Sequence, residues 1–272
     1  MDLRLRPDKT YLMAVLNVTP DSFSDGGMFF DKAKAVERAV EMALEGADII
    51  DVGGESTRPG SEPISMQEEL DRVIPVIQAA ASRLDIPISI DTSKPEVARE
   101  ALKAGASIIN NVMGTPVDKN MALAAAELGA PIVLMHIKGE PGNMQKNPSY
   151  KDAMSEISAE LKTAIAVCEE CGVDPKKIII DPGIGFGKTA KHNIEIIRRL
   201  RELKALNKPI LIGPSRKSFI GELLGIKVPG ERLMGTAAAI AASIINGADI
   251  VRAHDVKEIS QVCRLIDAIF KR

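Results

Sequence analysis

Residues 46–54 read GADIIDVGG, and this stretch contains the unit from which the chain is built. Gly46 follows an amphipathic segment and is suited to the left-handed conformation that commonly ends a helix. The apolar run after it is short and rich in isoleucine and valine, as expected of a buried strand. The same Gly-Ala phrase precedes apolar runs at Gly105, Gly129 and Gly247. These repeats indicate one helix-to-strand unit that is used several times.

Eight apolar runs alternate with longer helical patterns along the chain. They cover residues 11–18, 47–54, 86–92, 106–112, 131–137, 177–183, 209–214 and 248–255. Near-continuous apolar runs are typical of strands that are buried on both faces of a parallel sheet. In a chain of 272 residues, eight such strands favour an α/β fold, a (β/α)8 TIM barrel, as a single domain over residues 1–272. An open doubly wound sheet is the alternative.

Composition argues against several classes of protein. The formal net charge is −2, so there is no global basic field for nucleic acid or an anionic membrane surface. Aromatic residues make up 3% of the chain and tryptophan is absent, which argues against a stacking platform for bases. No apolar run reaches the roughly 18 residues of a membrane span, and the first residues do not resemble a secretory signal. With three cysteines, too few for a disulfide framework, we expect a cytoplasmic protein.

Polar residues stand near the end of nearly every apolar run. They are Asn17, Asp51, Asp91, Asn110, His136, Asp181, Arg252 and His254. The carboxyl ends of barrel strands open onto one face, where the active sites of such barrels form. Each residue alone could cap a helix or solvate a strand end. Together they predict one site, because a buried charge is costly without a partner.

Three of these residues form a hydrogen-bonding set for a flat heterocycle. Asp91 and Asp181 can only accept when ionised, whereas the amide of Asn110 both donates and accepts. A ring with an amine beside a ring N–H fits this set. The local alternatives are an N-cap for Asp91, a turn before Pro182 for Asp181, and backbone satisfaction for Asn110.

Two polar loops and one basic turn complete the predicted site. The loops span residues 17–27 and 53–61 and are long enough to close over a ligand. Residues 215–218, Ser-Arg-Lys-Ser, open a predicted helix, where free N–H groups and two cations favour an anion. Plain surface loops and a solvated basic turn are the alternatives.

Two further patterns carry less weight. Residues 182–189, PGIGFGKT, miss the nucleotide P-loop because Pro182 stands where its first glycine is required. We interpret these glycines as a close backbone approach to a ligand or as a tight turn. Cys168 and Cys171 have no second pair with which to form a zinc site.

Six segments together resemble the signature blocks of the dihydropteroate synthase family of pterin-binding enzymes. They are residues 17–27, 51–60, 90–92, 181–189, 215–218 and 252–255. The resemblance implies a homodimeric barrel that joins hydroxymethyl-dihydropterin pyrophosphate to para-aminobenzoate. The products would be dihydropteroate and pyrophosphate, formed in folate biosynthesis with Mg²⁺. It also implies a target of sulfonamides, with no nucleic-acid or membrane partner.

The resemblance also implies roles for individual residues. The pterin would be held by Asp91, Asn110, Asp181, Lys217 and Arg252. The para-aminobenzoate would be framed by Phe23, Thr57, Arg58, Pro59, Lys217 and Ser218. The pyrophosphate would meet Asn17, Arg252 and His254, with Asn17 as the protein ligand of Mg²⁺. The catalytic residues would be Asp25, Lys217, Arg252 and His254.

Three positions depart from the commonest family pattern. They are Asn111, Lys138 and Ala253, of which Asn111 bears on the details of the pterin pocket. Two other functions remain open beside the synthase activity that the resemblance implies. One is methyl transfer from methyltetrahydrofolate to a corrinoid, and the other is a non-catalytic pterin-binding paralogue that acts as a partner subunit.

Overall fold

The computed structural model describes residues 5–19, 28–55, 63–139 and 144–270, with the side chains of 28–31 excepted. The strands are β1 (Tyr11–Asn17), β2 (Ile49–Gly53), β3 (Ile88–Asp91), β4 (Ile108–Asn111), β5 (Ile132–Met135), β6 (Ile178–Asp181), β7 (Leu211–Ile212) and β8 (Ile250–Ala253). The α-helices are α1 (Met28–Leu44), α2 (Met66–Ala81), α3 (Pro95–Lys103), α4 (Lys119–Glu127), α5 (Ala153–Glu170), α6 (Ala190–Arg199), α7 (Ser218–Leu224), α8 (Leu233–Ile245) and α9 (Val256–Phe270). Every predicted strand is present within its predicted range.

The eight strands form one parallel sheet that closes on itself. Their order is β6-β5-β4-β3-β2-β1-β8-β7. β1 pairs with both β2 and β8, so the first and last strands are neighbours. A parallel bridge between Ile180 of β6 and Ile210, which precedes β7, closes the remaining gap. The predicted TIM barrel is therefore confirmed, and the alternative of an open doubly wound sheet is wrong.

The repeated Gly-Ala junctions end helices as the sequence predicts. Gly46, Gly105, Gly129 and Gly247 all have positive φ. At Gly105, where φ is 117°, an added Cβ would also lie 2.6 Å from the Cβ of Ala81 in α2. Glycine adopts this backbone region without the penalty that a Cβ imposes. Each of these helices can therefore end abruptly and return the chain to the barrel.

Apolar side chains fill the barrel and leave its carboxyl end to polar residues. Seven strands each contribute one residue to an inner cluster, namely Met13, Ile49, Ile108, Val133, Ile179, Leu211 and Ile250. Leu5 and Tyr11 pack against this cluster. The larger core lies between the barrel and the surrounding helices. Of the helices in the described ranges, none combines the length and the apolar character that crossing a membrane requires.

Candidate active site

A cavity of about 350 Å³ lies at the carboxyl ends of the strands. Its wall contains six of the predicted site residues, namely Asn17, Asp91, Lys217, Ser218, Arg252 and His254. Asn110 and Asp181 are buried at the ends of β4 and β6. The other predicted residues, Phe23, Asp25, Thr57, Arg58 and Pro59, lie outside the described residues. The barrel thus assembles the predicted set from five strands and the segment that precedes α7.

Arg252 of β8 is the centre of the polar network in this cavity. Its Nε donates to Asp51 Oδ2 and its Nη2 donates to Asp91 Oδ2, both at 2.6 Å. Asn110 Nδ2 donates to the same Asp51 oxygen at 2.9 Å. The Asp51 side chain is fully buried, so its charge depends on these donors. Asp51 has no individual role in the sequence analysis. The structure shows that it holds Arg252 and Asn110, two residues predicted to bind the pterin.

Asp91 keeps one free acceptor for a ligand. The residue lies beside Asn110 in the register of β3 and β4. Its Oδ2 is bound by Arg252, whereas its buried Oδ1 has no hydrogen-bond partner in the described ranges. Burial raises the pKa of the Asp91 carboxyl above its ordinary value, against the opposing attraction of the Arg252 guanidinium. A buried acceptor without a partner is costly, so this oxygen is suited to an N–H of a bound molecule.

Asp181, the last residue of β6, forms a turn with Gly183 and is also a predicted pterin-binding residue. Its Oδ1 accepts from the backbone N–H of Gly183 at 2.7 Å, which is the local role weighed from the sequence. Burial raises the pKa of Asp181 to about 6, while the Gly183 hydrogen bond and the Lys217 ammonium oppose that rise. At neutral pH the carboxylate is therefore mainly ionised and can accept from a ligand.

Lys217 stands between a glycine-rich loop and the carboxylates. Its Nζ lies 4.0 Å from the centroid of the Phe186 ring, a cation–π contact. At Gly185, where φ is 84°, an added Cβ would lie 3.0 Å from Lys217 Cδ. Burial, reinforced by the Arg252 guanidinium, lowers the pKa of Lys217 to about 8. Gly185 thus allows a close approach to Lys217, whereas the close backbone approach to a ligand stays a prediction. Phe186, which lines the cavity, is a site residue that the sequence analysis did not identify.

His254 is oriented by Ser215 and is kept neutral by burial. The Ser215 Oγ accepts from the His254 backbone N–H at 3.2 Å and lies 3.0 Å from His254 Nδ1. If the hydroxyl donates to Nδ1, the ring proton is on Nε2, which is then a donor. Burial, together with the Arg252 guanidinium, lowers the pKa of His254 to about 3. The imidazole therefore acts at neutral pH as a hydrogen-bond donor without charge.

Of the two cations predicted in residues 215–218, Arg216 is paired with a carboxylate, whereas Lys217 has no carboxylate partner among the described residues. Arg216 has a φ of 58° and donates from Nε to Asp255 Oδ2 at 3.1 Å, with a second contact between Nη2 and Oδ1. Lys217 caps the start of α7 without a side-chain cap bond. Both residues line the cavity, so the two predicted cations are present there, with Arg216 held by its ion pair with Asp255.

The three departures from the family pattern lie away from the cavity wall. Asn111 Oδ1 accepts from the backbone N–H of Met113 at 3.2 Å, a bond that an aspartate would also make. Lys138 Nζ pairs with Glu156 Oε2 at 2.9 Å. Ala253 is fully buried. None of the three side chains lines the cavity, so they leave its polar residues unchanged.

Comparison with known proteins agrees with this geometry. The family model described as "Pterin binding enzyme" matches residues 13–254, and the chain belongs to that family. The dihydropteroate synthase of Synechocystis sp. is 50% identical over 263 residues, which cover 97% of this chain and 91% of that protein.

Two solved structures extend the comparison. The dihydropteroate synthase of Clostridium difficile, determined in the presence of pteroic acid, has a TM-score of 0.91 and 49% identity, over 97% of this chain and 98% of that one. The enzyme of Xanthomonas albilineans with 4-aminobenzoic acid has a TM-score of 0.90 and 41% identity, over 97% and 94%. Within its family, the chain therefore groups with the dihydropteroate synthases. The predicted transferase activity is therefore confirmed. It is preferred to the two alternatives, methyl transfer to a corrinoid and a non-catalytic pterin-binding paralogue.

Proposed function

We propose that hydroxymethyl-dihydropterin pyrophosphate and para-aminobenzoate condense in the cavity at the mouth of the barrel, giving dihydropteroate and pyrophosphate. The observation that carries the proposal is the buried acceptor set at the ends of β3, β4 and β6. Asp91 Oδ1 lacks a partner in the described chain, and Asp181 is buried at the end of β6. This arrangement is suited to the adjacent amine and ring N–H of a pterin.

The pterin ring is held between these acceptors and the cationic groups. Asp181 accepts from the amine and ring N–H, while Asp91 and Asn110 bind the opposite edge. Lys217 donates to the ring from its position over Phe186. Arg252, held by Asp51 and Asp91, lies against the ring face. Because Asp51 fixes both Arg252 and Asn110, the pocket is largely formed before the substrate arrives.

The pyrophosphate is bound at the side of the cavity formed by β1 and β8. Asn17, Arg252 and His254 line that side. The guanidinium supplies charge, and the neutral His254 supplies a directed N–H donor. Both groups stabilise the charge that develops on the leaving pyrophosphate.

Magnesium fits this site as an ion that binds together with the pyrophosphate of the substrate. The described residues contain no cluster of three or more carboxylate, histidine or cysteine groups that could hold a metal by themselves. Asn17 offers one amide oxygen in the cavity wall. Mg²⁺ commonly takes one or two protein oxygens and completes its shell with phosphates and water. When bound, it would neutralise charge on the pyrophosphate, with Asn17 as its protein ligand.

The reaction is a substitution at the CH₂ group of the pterin. The C–O bond breaks and its electron pair leaves with the pyrophosphate, while the electron-rich ring spreads the resulting positive charge. The arylamine nitrogen of para-aminobenzoate then forms the C–N bond and loses a proton. Water exclusion protects the cation from hydrolysis. A weakly basic arylamine attacks as the neutral amine, so the site needs no strong general base.

The second substrate approaches from the side of Lys217 and Ser218. Both residues line the cavity. We retain the proposal that Phe23, Thr57, Arg58 and Pro59 frame para-aminobenzoate, and that Asp25 stabilises the developing positive charge. Sulfonamides, as analogues of para-aminobenzoate, would compete at this place.

A homodimer is supported by exposed apolar side chains on the last three helices. α8 packs against both α7 and α9. These helices expose Leu223, Leu224, Met234, Leu265, Ile269 and Phe270. Exposed apolar side chains gathered on neighbouring helices mark an interface more often than apolar side chains that are scattered singly. We place the dimer in the cytoplasm, where the thiols of Cys168, Cys171 and Cys263 would remain reduced.

The testing experiment measures pyrophosphate release from hydroxymethyl-dihydropterin pyrophosphate with Mg²⁺, with and without para-aminobenzoate. Release that depends on para-aminobenzoate and yields dihydropteroate supports the proposal. Removal of Mg²⁺ with EDTA should suppress release, and added Mg²⁺ should restore it. Folded protein that binds a pterin without turnover would contradict the proposal.

A further inference from the structure

Lys188 is a buried ammonium outside the cavity wall, and each of its donors has an acceptor. Its Nζ lies 2.9 Å from His136 Nδ1, 2.9 Å from Phe186 O and 3.3 Å from His136 O. The residue is 2% exposed. An ammonium has three donors and no acceptor capacity, so these contacts use all of them. None of the three acceptors is a carboxylate, which is unusual for a buried cation.

The contact with Lys188 defines the state of His136. Two carbonyl oxygens also surround Nζ, an arrangement that fits the protonated lysine, and His136 Nδ1 is then the acceptor with the ring proton on Nε2. Burial, with the Lys188 charge adding to it, lowers the pKa of His136 to about 2, which agrees with a neutral ring. Nε2 lies 3.3 Å from Glu160 Oε2 but lacks the angle of a hydrogen bond. We therefore regard that contact as weak, and Lys188 as the main partner of the imidazole.

The loop of residues 183–187 rests on the backbone that follows β5. Gly183 and Gly187 have φ values of 70° and 66°. An added Cβ would lie 1.9 Å from His136 O at Gly183, and 2.1 Å from Lys138 O at Gly187. Lys188 binds the same two segments, because its ammonium bridges His136 of one to Phe186 of the other. The ammonium thus ties the glycine-rich loop to the end of β5.

Phe186 transmits this constraint to the pterin pocket. Its carbonyl is an acceptor for Lys188, and its ring lies 4.0 Å from Lys217 Nζ. Gly185 of the same loop passes close to the aliphatic part of Lys217. We infer that Lys188 is a positioning residue, which acts through His136 and Phe186 to hold Lys217 at the pterin-binding position. The inference rests on the proposed function, in which Lys217 binds the pterin.

Stability alone gives little reason for a lysine at this place. Burial lowers the pKa of Lys188 to about 7, with Asp181 opposing the shift, so burying its charge costs free energy. Replacing buried ionic groups by well-packed apolar side chains is often neutral or stabilising. A methionine could fill the same space but could not bridge His136 to Phe186. The role of Lys188 should therefore appear in ligand affinity more clearly than in stability.

The test compares Lys188→Met with Lys191→Met, which removes an exposed lysine three residues along the chain. Pteroic acid is the probe, and its Kd is measured by calorimetry on the full chain. We expect Lys188→Met to weaken binding by about tenfold to a hundredfold, the range typical of small misplacements in a pocket. Lys191→Met should bind as the unmodified chain does. A loss of stability alone would reduce the folded fraction and leave the Kd of that fraction unchanged.

A second pair of variants approaches the same contact from its other side. His136→Asn keeps a side-chain acceptor near the position of Nδ1, whereas His136→Leu removes it. We expect His136→Asn to retain most of the affinity for pteroic acid and His136→Leu to lose it. This pair tests the inference even if Lys188→Met does not fold. An unchanged Kd for pteroic acid in folded Lys188→Met, or in His136→Leu, would overturn the inference but not the proposed function. Failure of the unmodified chain to bind pteroic acid would overturn the proposed function, and the inference with it.

Discussion

Arg252 Nη2 donates to Asp91 Oδ2 at 2.6 Å, although 161 residues separate the two in the chain. The same guanidinium donates from Nε to Asp51, so one cation ties β8 to both β2 and β3. Because Asp91 Oδ1 remains unpaired in the described chain, a ligand can bind this carboxylate without breaking its bond to Arg252. The cationic and acidic parts of the site are therefore arranged together before any substrate binds.

Asp51 should contribute to turnover although it does not line the cavity. In Asp51→Asn, Arg252 Nε and Asn110 lose the charge that holds them. We expect kcat/KM for the pterin pyrophosphate to fall about tenfold to a hundredfold, because both ligands become less well placed. Steady-state kinetics measures this, with the exposed Asp71→Asn as the matched control. An unchanged kcat/KM in folded Asp51→Asn would show that Arg252 does not need this support.

Pterin affinity should fall as the pH is lowered through about 6. Burial raises the pKa of Asp181 to about 6, so below that pH the carboxyl is protonated in the free protein and loses its charge-assisted acceptor role. Burial also raises the pKa of Asp91, so protonation of this second acceptor adds to the loss of affinity in the same direction. His254 remains neutral in this range because burial lowers its pKa to about 3. The Kd of 6-hydroxymethylpterin, measured by calorimetry from pH 5 to pH 8, checks this expectation.

Substitution of Asp181 provides the control for the pH experiment. Asp181→Ala should lose pterin binding, because no acceptor remains at the end of β6. Asp181→Asn should bind weakly and without the dependence near pH 6, since the amide does not titrate. If the acid limb persists in Asp181→Asn, another group is responsible for it.

Gly187 should tolerate a side chain much less well than another glycine of similar conformation. Gly187 and Gly225 have φ values of 66° and 70°. An added Cβ would lie 2.1 Å from Lys138 O at Gly187, whereas nothing lies within 4 Å at Gly225. We expect Gly225→Ala to cost roughly 1–2 kcal/mol in backbone strain. Gly187→Ala should cost about 2 kcal/mol more, because the neighbouring backbone must move.

Urea unfolding of both glycine variants measures this difference. Equal losses of unfolding free energy would mean that the loop of residues 183–187 does not press on the backbone after β5. Such a result would also weaken the case for Lys188 as a positioning residue, since both depend on that close packing.

Self-association should depend on α8 and not on exposed apolar residues in general. Met234 on α8 is 79% exposed, and Leu44 at the end of α1 is 85% exposed. If α7 to α9 form the dimer interface, Met234→Lys places a charge in it and favours monomers. Leu44→Lys should leave the assembly unchanged. Light scattering with size-exclusion chromatography distinguishes these outcomes, and a dimer unaffected by Met234→Lys would place the interface elsewhere.

The site could be predicted from the sequence where function lies at the ends of strands. Asp91, Asn110, Asp181 and Arg252 each end an apolar run or lie next to its end, and the barrel topology brings such positions together. Lys188 and Phe186 were harder to identify, because they stand in a stretch that resembles a nucleotide loop without matching it. Lys188 depends on its contact with His136, which lies 52 positions earlier in the chain. Phe186 depends on its contact with Lys217, which belongs to the segment after another strand.

The sequence by itself determined the eight strands, the helix-ending glycines and the set of polar residues at the strand ends. These follow from local periodicity and backbone preference, which neighbouring residues specify. Only the tertiary structure decided that Arg252 is shared by Asp51 and Asp91, that Asp255 pairs with Arg216, and that Lys188 is enclosed by neutral acceptors. Hydrogen bonds and desolvation depend on which groups meet across the barrel, and a linear pattern does not contain those distances.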